Sequence, residues 1–234
     1  SMNNQFNSND FEIVEVIDQS EQGRTSIVRQ KKSNYYYYAN TILHLKDEDI
    51  KAQLEPYVLK FIGLRHLSIH SLMGYSFFDF KGDSNPTLFY SRLLNLTKFN
   101  NKVKYMKNSS SNTEKILIFI GILTGLSFLH KNEIIIGDFN VNTILLNQNF
   151  YPFLTKIGYF NFFNSTKKIP LKIVPPEFAS NSAYAFSKET DIYFFGIILF
   201  SLFSGEIVKT SLPNFPTKFD KNVKSLIKKC WEIN

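Results

Sequence analysis

The 234-residue sequence predicts an α+β chain in which a small antiparallel sheet with one helix precedes a mainly helical part. Three observations carry this. Apolar–polar alternation broken by turn residues runs through the first ~90 residues. A Ser/Asn-rich stretch at 107–113 marks a change of composition. Helical periodicity with apolar runs dominates the rest of the chain.

The first ten residues are polar and Asn-rich and read as a disordered tail, with Ser1 ahead of Met2 an expression remnant. Phe11–Ile17 alternates as a strand, and Thr25–Arg29 and Tyr35–Leu43 follow across the turn Lys31-Lys32-Ser33-Asn34. In the four-tyrosine run Tyr36 and Tyr38 face one side and Tyr35 and Tyr37 the other, so that strand is expected to be covered on both faces. Asp47–Leu64 has helical spacing through Ile50, Leu54, Val58, Phe61 and Ile62, with Pro56 interrupting it. Ser71–Phe80 and Thr87–Leu93 complete five strands around the turn at 81–86. Thr113 is placed to cap a helix Glu114–His130, with Ile116, Phe119, Ile120, Leu123, Leu126 and Leu129 on its buried face. Two short strands, a loop ending at Pro175-Pro176 and an apolar helix Asp191–Phe203 come next. Gly205 ends that helix as a left-handed cap, and Asn222–Glu232 is a final amphipathic helix. The expected organisation is a sheet part 11–90, a hinge 91–95 and a helical part 96–234.

Composition excludes several classes. A hydrophobic content of 44% supports a core rather than disorder. The single cysteine, Cys230, excludes an internal disulfide and fits a cytoplasmic setting. No Cys/His cluster suggests a metal site, and His66 and His70 read as packing or surface residues. The net charge of +7 is spread over scattered lysines, not a basic block interleaved with aromatics, so no nucleic-acid partner is expected. The apolar run Ile192–Phe203 is about half the ~20 residues of a spanning helix, so no membrane partner is expected.

The richest stretch is Ile134–Leu146, IIIGDFNVNTILL, with YPFLTKIGYF after it at Tyr151–Phe160. Asp138 comes after two apolar residues and a glycine, and Ile144-Leu145-Leu146 comes after Asp138. Further along stand Pro176-Glu177 and Asp191-Ile192-Tyr193-Phe194-Phe195-Gly196; nearer the N-terminus stands IGLRHLSIHSLMG at Ile62–Gly74. In this order the motifs resemble a protein kinase domain, most closely its tyrosine-kinase-like branch. The resemblance implies a bilobal protein kinase-like fold, with a five-stranded antiparallel sheet and one helix in the N-lobe and a mainly helical C-lobe that stops short of the family's usual end.

It also implies that the reactive groups have been replaced. Phosphoryl transfer in such domains depends on charge placed around the triphosphate. The glycine-rich loop is Asp18-Gln19-Ser20-Glu21-Gln22-Gly23, with only Gly23 kept, and reads as a hairpin turn. The phosphate-gripping lysine, two residues after Ala39, is Thr41, and its helix glutamate falls on Tyr57; Lys46 is the nearest substitute cation. Ile136 and Gly137 stand for the His and Arg of H-R-D, Asn140 for a lysine, Thr143 for the metal-binding asparagine and Lys156 for the D-F-G aspartate. A like charge ~4 Å away costs roughly 4 kcal/mol per unit at an effective dielectric of 20, so an ammonium there opposes magnesium. Asp138 persists as a loop-organising acceptor, and a phosphate on Ser165 or Thr166 would lack its arginine, with Lys167 and Lys168 poorly placed to replace it.

Fold-supporting positions are retained: Ile136, Ile157 and Phe61 are apolar, and Asp191 and Glu177 are present. A vestigial nucleotide cleft would comprise Gly23, Ala39, Leu145, Lys156, a gatekeeper Tyr90, and hinge backbone groups from Ser91 to Leu93. Tyr159 and Phe160 either fill this cleft or leave it open. The expectation is a pseudokinase: no measurable phosphorylation, weak or no metal-dependent ATP binding, no bound metal or other cofactor, and ATP, if bound, without magnesium. Its partner would be a protein, an active kinase among the candidates, meeting Asp47–Leu64 or the segment Tyr159–Phe163. The alternative is an unorthodox serine/threonine kinase with Lys156 replacing the metal and Asp138 as base.

Overall fold

In the computed structural model, residues 4–45, 47–109, 111–163, 175, 185–209 and 211–232 are described. Lys46, Ser165, Thr166, Lys167, Lys168, Pro176 and Glu177 lie outside them. The chain divides into two compact units: residues 1–66, 70–94 and 161–163 form the first, and 67–69, 95–160 and 164–234 the second.

The first unit is a five-stranded antiparallel sheet with one helix. Its strands are β1 (Phe11–Gln19), β2 (Gly23–Gln30), β3 (Tyr36–Ile42), β4 (Leu72–Ser76) and β5 (Thr87–Ser91), in the order β1-β2-β3-β5-β4. Helix α1 (Asp47–Phe61) comes after β3 and runs through Pro56. Both faces of β3 are covered, as the tyrosine run predicts. Tyr37 meets Phe6, Phe11 and Phe89, while Tyr38 meets His70. The turn between β4 and β5 is organised by Asp79, which accepts hydrogen bonds from the amides of Lys81 and Asp83 and from Asn85.

Residues 4–10, expected as a disordered tail, are ordered against β4. The amide of Phe6 donates to the Tyr75 carbonyl at 2.7 Å, and the amide of Tyr75 donates to Asn4 at 2.9 Å. A Cβ on Gly74 would stand 2.6 Å from the Phe6 ring, so glycine there makes room for that aromatic. Burying Phe6 against Phe11 and Phe89 offsets the entropy of ordering a polar segment.

The second unit holds a three-stranded sheet, β6 (Thr97–Lys98), β7 (Ile144–Leu146) and β8 (Pro152–Leu154), with four helices among the described residues. Helix α2 (Phe99–Ser109) occupies part of the stretch expected as loop; its buried Phe99, Val103 and Met106 repeat at helical spacing. Helix α3 (Asn112–Lys131) is capped by Ser111 rather than Thr113. The Ser111 hydroxyl accepts the Glu114 amide while the Glu114 carboxylate accepts the Ser111 amide.

The buried face of α3 also differs from expectation. Ile118, Ile122, Leu126 and Leu129 are buried, whereas Ile116, Ile120 and Leu123 are exposed. The decisive residues are Gly121 and Gly125, against which Pro152 and Leu154 of β8 pack. By length and hydropathy alone α3 would cross a membrane, yet here one face is packed on a sheet.

Helix α4 (Lys188–Ser204) is buried on nearly every side. Gly205 ends it with φ 74, and its amide bonds to Ser201. Helix α5 (Lys221–Trp231) approaches closely at Gly196, where a Cβ would lie 2.7 Å from that of Cys230.

Candidate functional site

In the first unit the loop joining β1 and β2 is a tight hairpin. The Ser20 amide donates to Gly23 at 2.8 Å, and the Gln22 amide donates to the Ser20 hydroxyl. These two amides are thus bonded within the loop itself. Gly23 is retained for a close approach: a Cβ there would lie 2.9 Å from the Thr41 carbonyl.

On β3, Ala39 pairs with Phe89 and Tyr38 with Tyr90. Directly paired residues share a sheet face, so Ala39 and Tyr90 lie on opposite faces. Ala39 is buried with Phe11, Val28 and Phe89, on the face opposite Tyr90, although both are expected to line one cleft. Asn40, Thr41 and Ile42, next along β3, place no lysine on either face. At the glutamate position Tyr57 is buried, stacking on Phe61 at 4.3 Å between ring centroids and meeting Phe162 at 4.7 Å.

Ser91 does not offer free hinge groups. Its amide donates to the Ser71 carbonyl at 3.0 Å, and its carbonyl lies 2.6 Å from His70 Nε2. The His70 ring stacks on Tyr90 at 5.1 Å and meets Tyr38 edge-on at 5.3 Å. Burial depresses its pKa to about 4, so the ring is neutral near pH 7 and Nε2 carries the donated proton. Beyond β5 Leu93 is half-buried, and the Arg92 guanidinium sits 4.3 Å over the Tyr36 ring.

In the second unit the loop 136–143 is suspended from Asp191, which is fully buried on α4. Its carboxylate accepts the amides of Ile136 at 2.8 Å and Gly137 at 3.0 Å, and His130 Nε2 at 2.9 Å. Asp138 is exposed by area, but the dense surroundings raise its carboxyl above the ordinary range, partly offset by Asn140 and then by the Lys156 charge. Asn140 Nδ2 donates to Asp138 at 2.8 Å, while Asn140 Oδ1 accepts the Asn142 amide. The Thr143 hydroxyl closes the loop onto the Asn140 carbonyl at 2.9 Å. Leu145 is half-buried in β7, paired with Lys98 and Phe153.

Lys156 lies just past β8 with φ 54, and Gly158 has φ 72 with its amide bonded to Ile136. The Lys156 ammonium acts on the Asp138 carboxyl, so this stretch brings together one cation and one carboxylate. Among the described residues no group of three or more His, Cys, Asp or Glu side chains could hold a metal ion. This donor set does not fit magnesium.

Gly137 has φ 90, and the Phe160 ring occupies the space a Cβ would need. Phe160 also packs on Phe186 at 4.9 Å. Restoring arginine by Gly137→Arg should therefore destabilise the fold by about 2–4 kcal/mol, through left-handed strain and displacement of the ring. A urea midpoint equal to or above that of the parent chain would contradict this.

Two residues of consequence escape a reading of the sequence. His130 ends a helix with no local sign of its partner 61 positions on. His70 sits among apolar neighbours that give no hint of Ser91.

Residues 44–234 match the family model described as protein tyrosine and serine/threonine kinase. The chain belongs to the protein kinase family. Its first unit is the kinase N-lobe sheet and its second the helical C-lobe. Over 196 residues the kinase domain is 30% identical to the serine/threonine-protein kinase pelle of Drosophila melanogaster, covering 75% of this chain and 37% of that protein. It is 25% identical over 152 residues to the probable serine/threonine-protein kinase PBL4 of Arabidopsis thaliana, covering 62% of this chain and 36% of that protein. It is 24% identical over 144 residues to the RGS domain-containing serine/threonine-protein kinase A of Dictyostelium discoideum, covering 54% and 13%. The chain thus spans well under two thirds of these curated relatives.

Proposed function

We propose that this kinase domain, of the tyrosine-kinase-like branch, is silent in phosphoryl transfer and acts in the cytoplasm as a signalling scaffold or allosteric partner of another protein. The observation that carries the reading is Lys156, whose charge acts on Asp138 where the family's chemistry requires metal-binding oxygens. Further support comes from the internally bonded hairpin at Ser20–Gly23, the aromatic Tyr57 in place of a carboxylate and the occupied backbone of Ser91. Asp191 and the apolar positions around it maintain the loop whether or not it reacts.

The test is a thermal melt with ATP or ADP, each with magnesium, manganese or chelator. No stabilisation under any condition is expected, because a ligand well above its dissociation constant would contribute several kcal/mol. A magnesium-dependent rise in melting temperature, or transfer of radiolabel abolished by Asp138→Asn, would refute the reading.

One observation favours a second reading. Asp138 is exposed, and its raised carboxyl suits a general base with Lys156 as a standing cation. That reading requires nucleotide affinity that survives chelator and disappears in Lys156→Ala.

A further inference from the structure

His70 lies in the Ile62–Gly74 segment, where no role was expected of it beyond packing or surface, yet its ring is 6% exposed and fixed on three sides. Tyr90 lies against one ring face, Tyr38 meets it edge-on, and Nε2 points at the Ser91 carbonyl. The pairing of Tyr38 with Tyr90 puts both tyrosines on the same face of the sheet, so the imidazole lies within an aromatic wall at the end of β5. A flat heteroaromatic ring that stacks on Tyr90 and donates an N–H to a strand-end carbonyl is also what a purine with an exocyclic amino group would supply.

We infer that His70 is an internal occupant of the Ser91 carbonyl, filling from within the chain the place on this edge of the N-lobe where a purine base would otherwise dock. The inference rests on the nucleotide-independent reading proposed for the domain and gives it a residue. A purine arriving at Ser91 would have to displace a buried ring and leave its N–H without a partner, and such an orphan donor is costly. The Ser91 amide offers no compensation, because Ser71 already accepts it. Tyr90 by itself would only narrow the space; His70 closes it.

The test uses adenosine, which carries no phosphate, so the missing phosphate and metal groups do not bear on the result. Adenosine should leave the melting temperature of the parent chain unchanged. His70→Ala should melt lower and regain about 3 °C with either adenosine or imidazole, both of which can fill the vacated place. His70→Phe, which refills it, should respond to neither. A folded His70→Ala that responds to neither probe would overturn the inference, as would a parent chain stabilised by adenosine. If His70→Ala does not fold, the parent chain decides by nitrogen NMR: the Nε2–H signal of His70 should stay put on adding adenosine, and its displacement would refute the idea. Kinase activity in the parent chain would refute the scaffold reading, whereas indifference of His70→Ala would remove this inference alone.

Discussion

Asp191→Ala should cost this domain about 3–5 kcal/mol, the loss expected when one member of a buried charged network is removed. The carboxylate is fully buried, and its two oxygens serve three donors: the amides of Ile136 and Gly137 and the imidazole of His130. Alanine would leave the two buried amides and the part-buried His130 ring without this acceptor. A domain with a total stability of roughly 5–15 kcal/mol would lose about a fifth of it or more. Asp191→Asn keeps one acceptor oxygen and should lose less. Urea unfolding of the three proteins checks this, and a loss below about 1 kcal/mol in the alanine variant would show that the loop is held by other means.

Acidification should weaken the fold through His70. Its pKa is depressed from 6.5 to about 4 in the folded chain, so the native protein keeps the ring neutral while the unfolded chain binds a proton. Stability from this group is fully present above pH 6.5 and is lost as pH falls through the window down to 4. Between about pH 7.5 and pH 5 the expected loss is ~2 kcal/mol. The groups facing the ring are the phenols of Tyr38 and Tyr90 and the Ser91 carbonyl, with Glu15 and Arg92 acting on Tyr38. Carboxylates elsewhere also titrate near the acid end, so the informative quantity is the difference between the parent chain and His70→Phe. Equal slopes of stability against pH in the two proteins would contradict the assignment.

Much of the N-lobe can be read from the sequence because turns punctuate it. Lys31–Asn34 and the 81–86 segment separate strands that the structure places where alternation suggests. Gly205 is also legible, since a helix end gives it a local reason, whereas Asp191 is legible only through the family resemblance, its partners lying 54 to 61 positions away. Facing is harder. Four consecutive tyrosines provide no polar–apolar contrast, and Ala39 is set in the cleft by resemblance alone, whereas the strand pairing puts it on the face opposite Tyr90. Helix α3 poses the same problem with another period. Apolar residues at 116–120, 122 and 123 leave several faces equally plausible, and the true one is chosen by two glycines that let β8 approach. The contact between His70 and Ser91 depends on strand pairing 21 residues apart, which no local pattern encodes.

The N-terminal segment that lies along β4 has a bearing on self-association. It sits on one border of the sheet, so the hydrogen-bonding groups of β4 there face their own chain. The opposite border, β1, bears Glu12, Glu15 and Asp18, and its register slips at two points. Acidic side chains and bulges both discourage a foreign strand from zipping on. Because β1 also exposes Ile13, Val14, Val16 and Ile17, those acidic residues and bulges are what stand between this border and the addition of a second copy's strand.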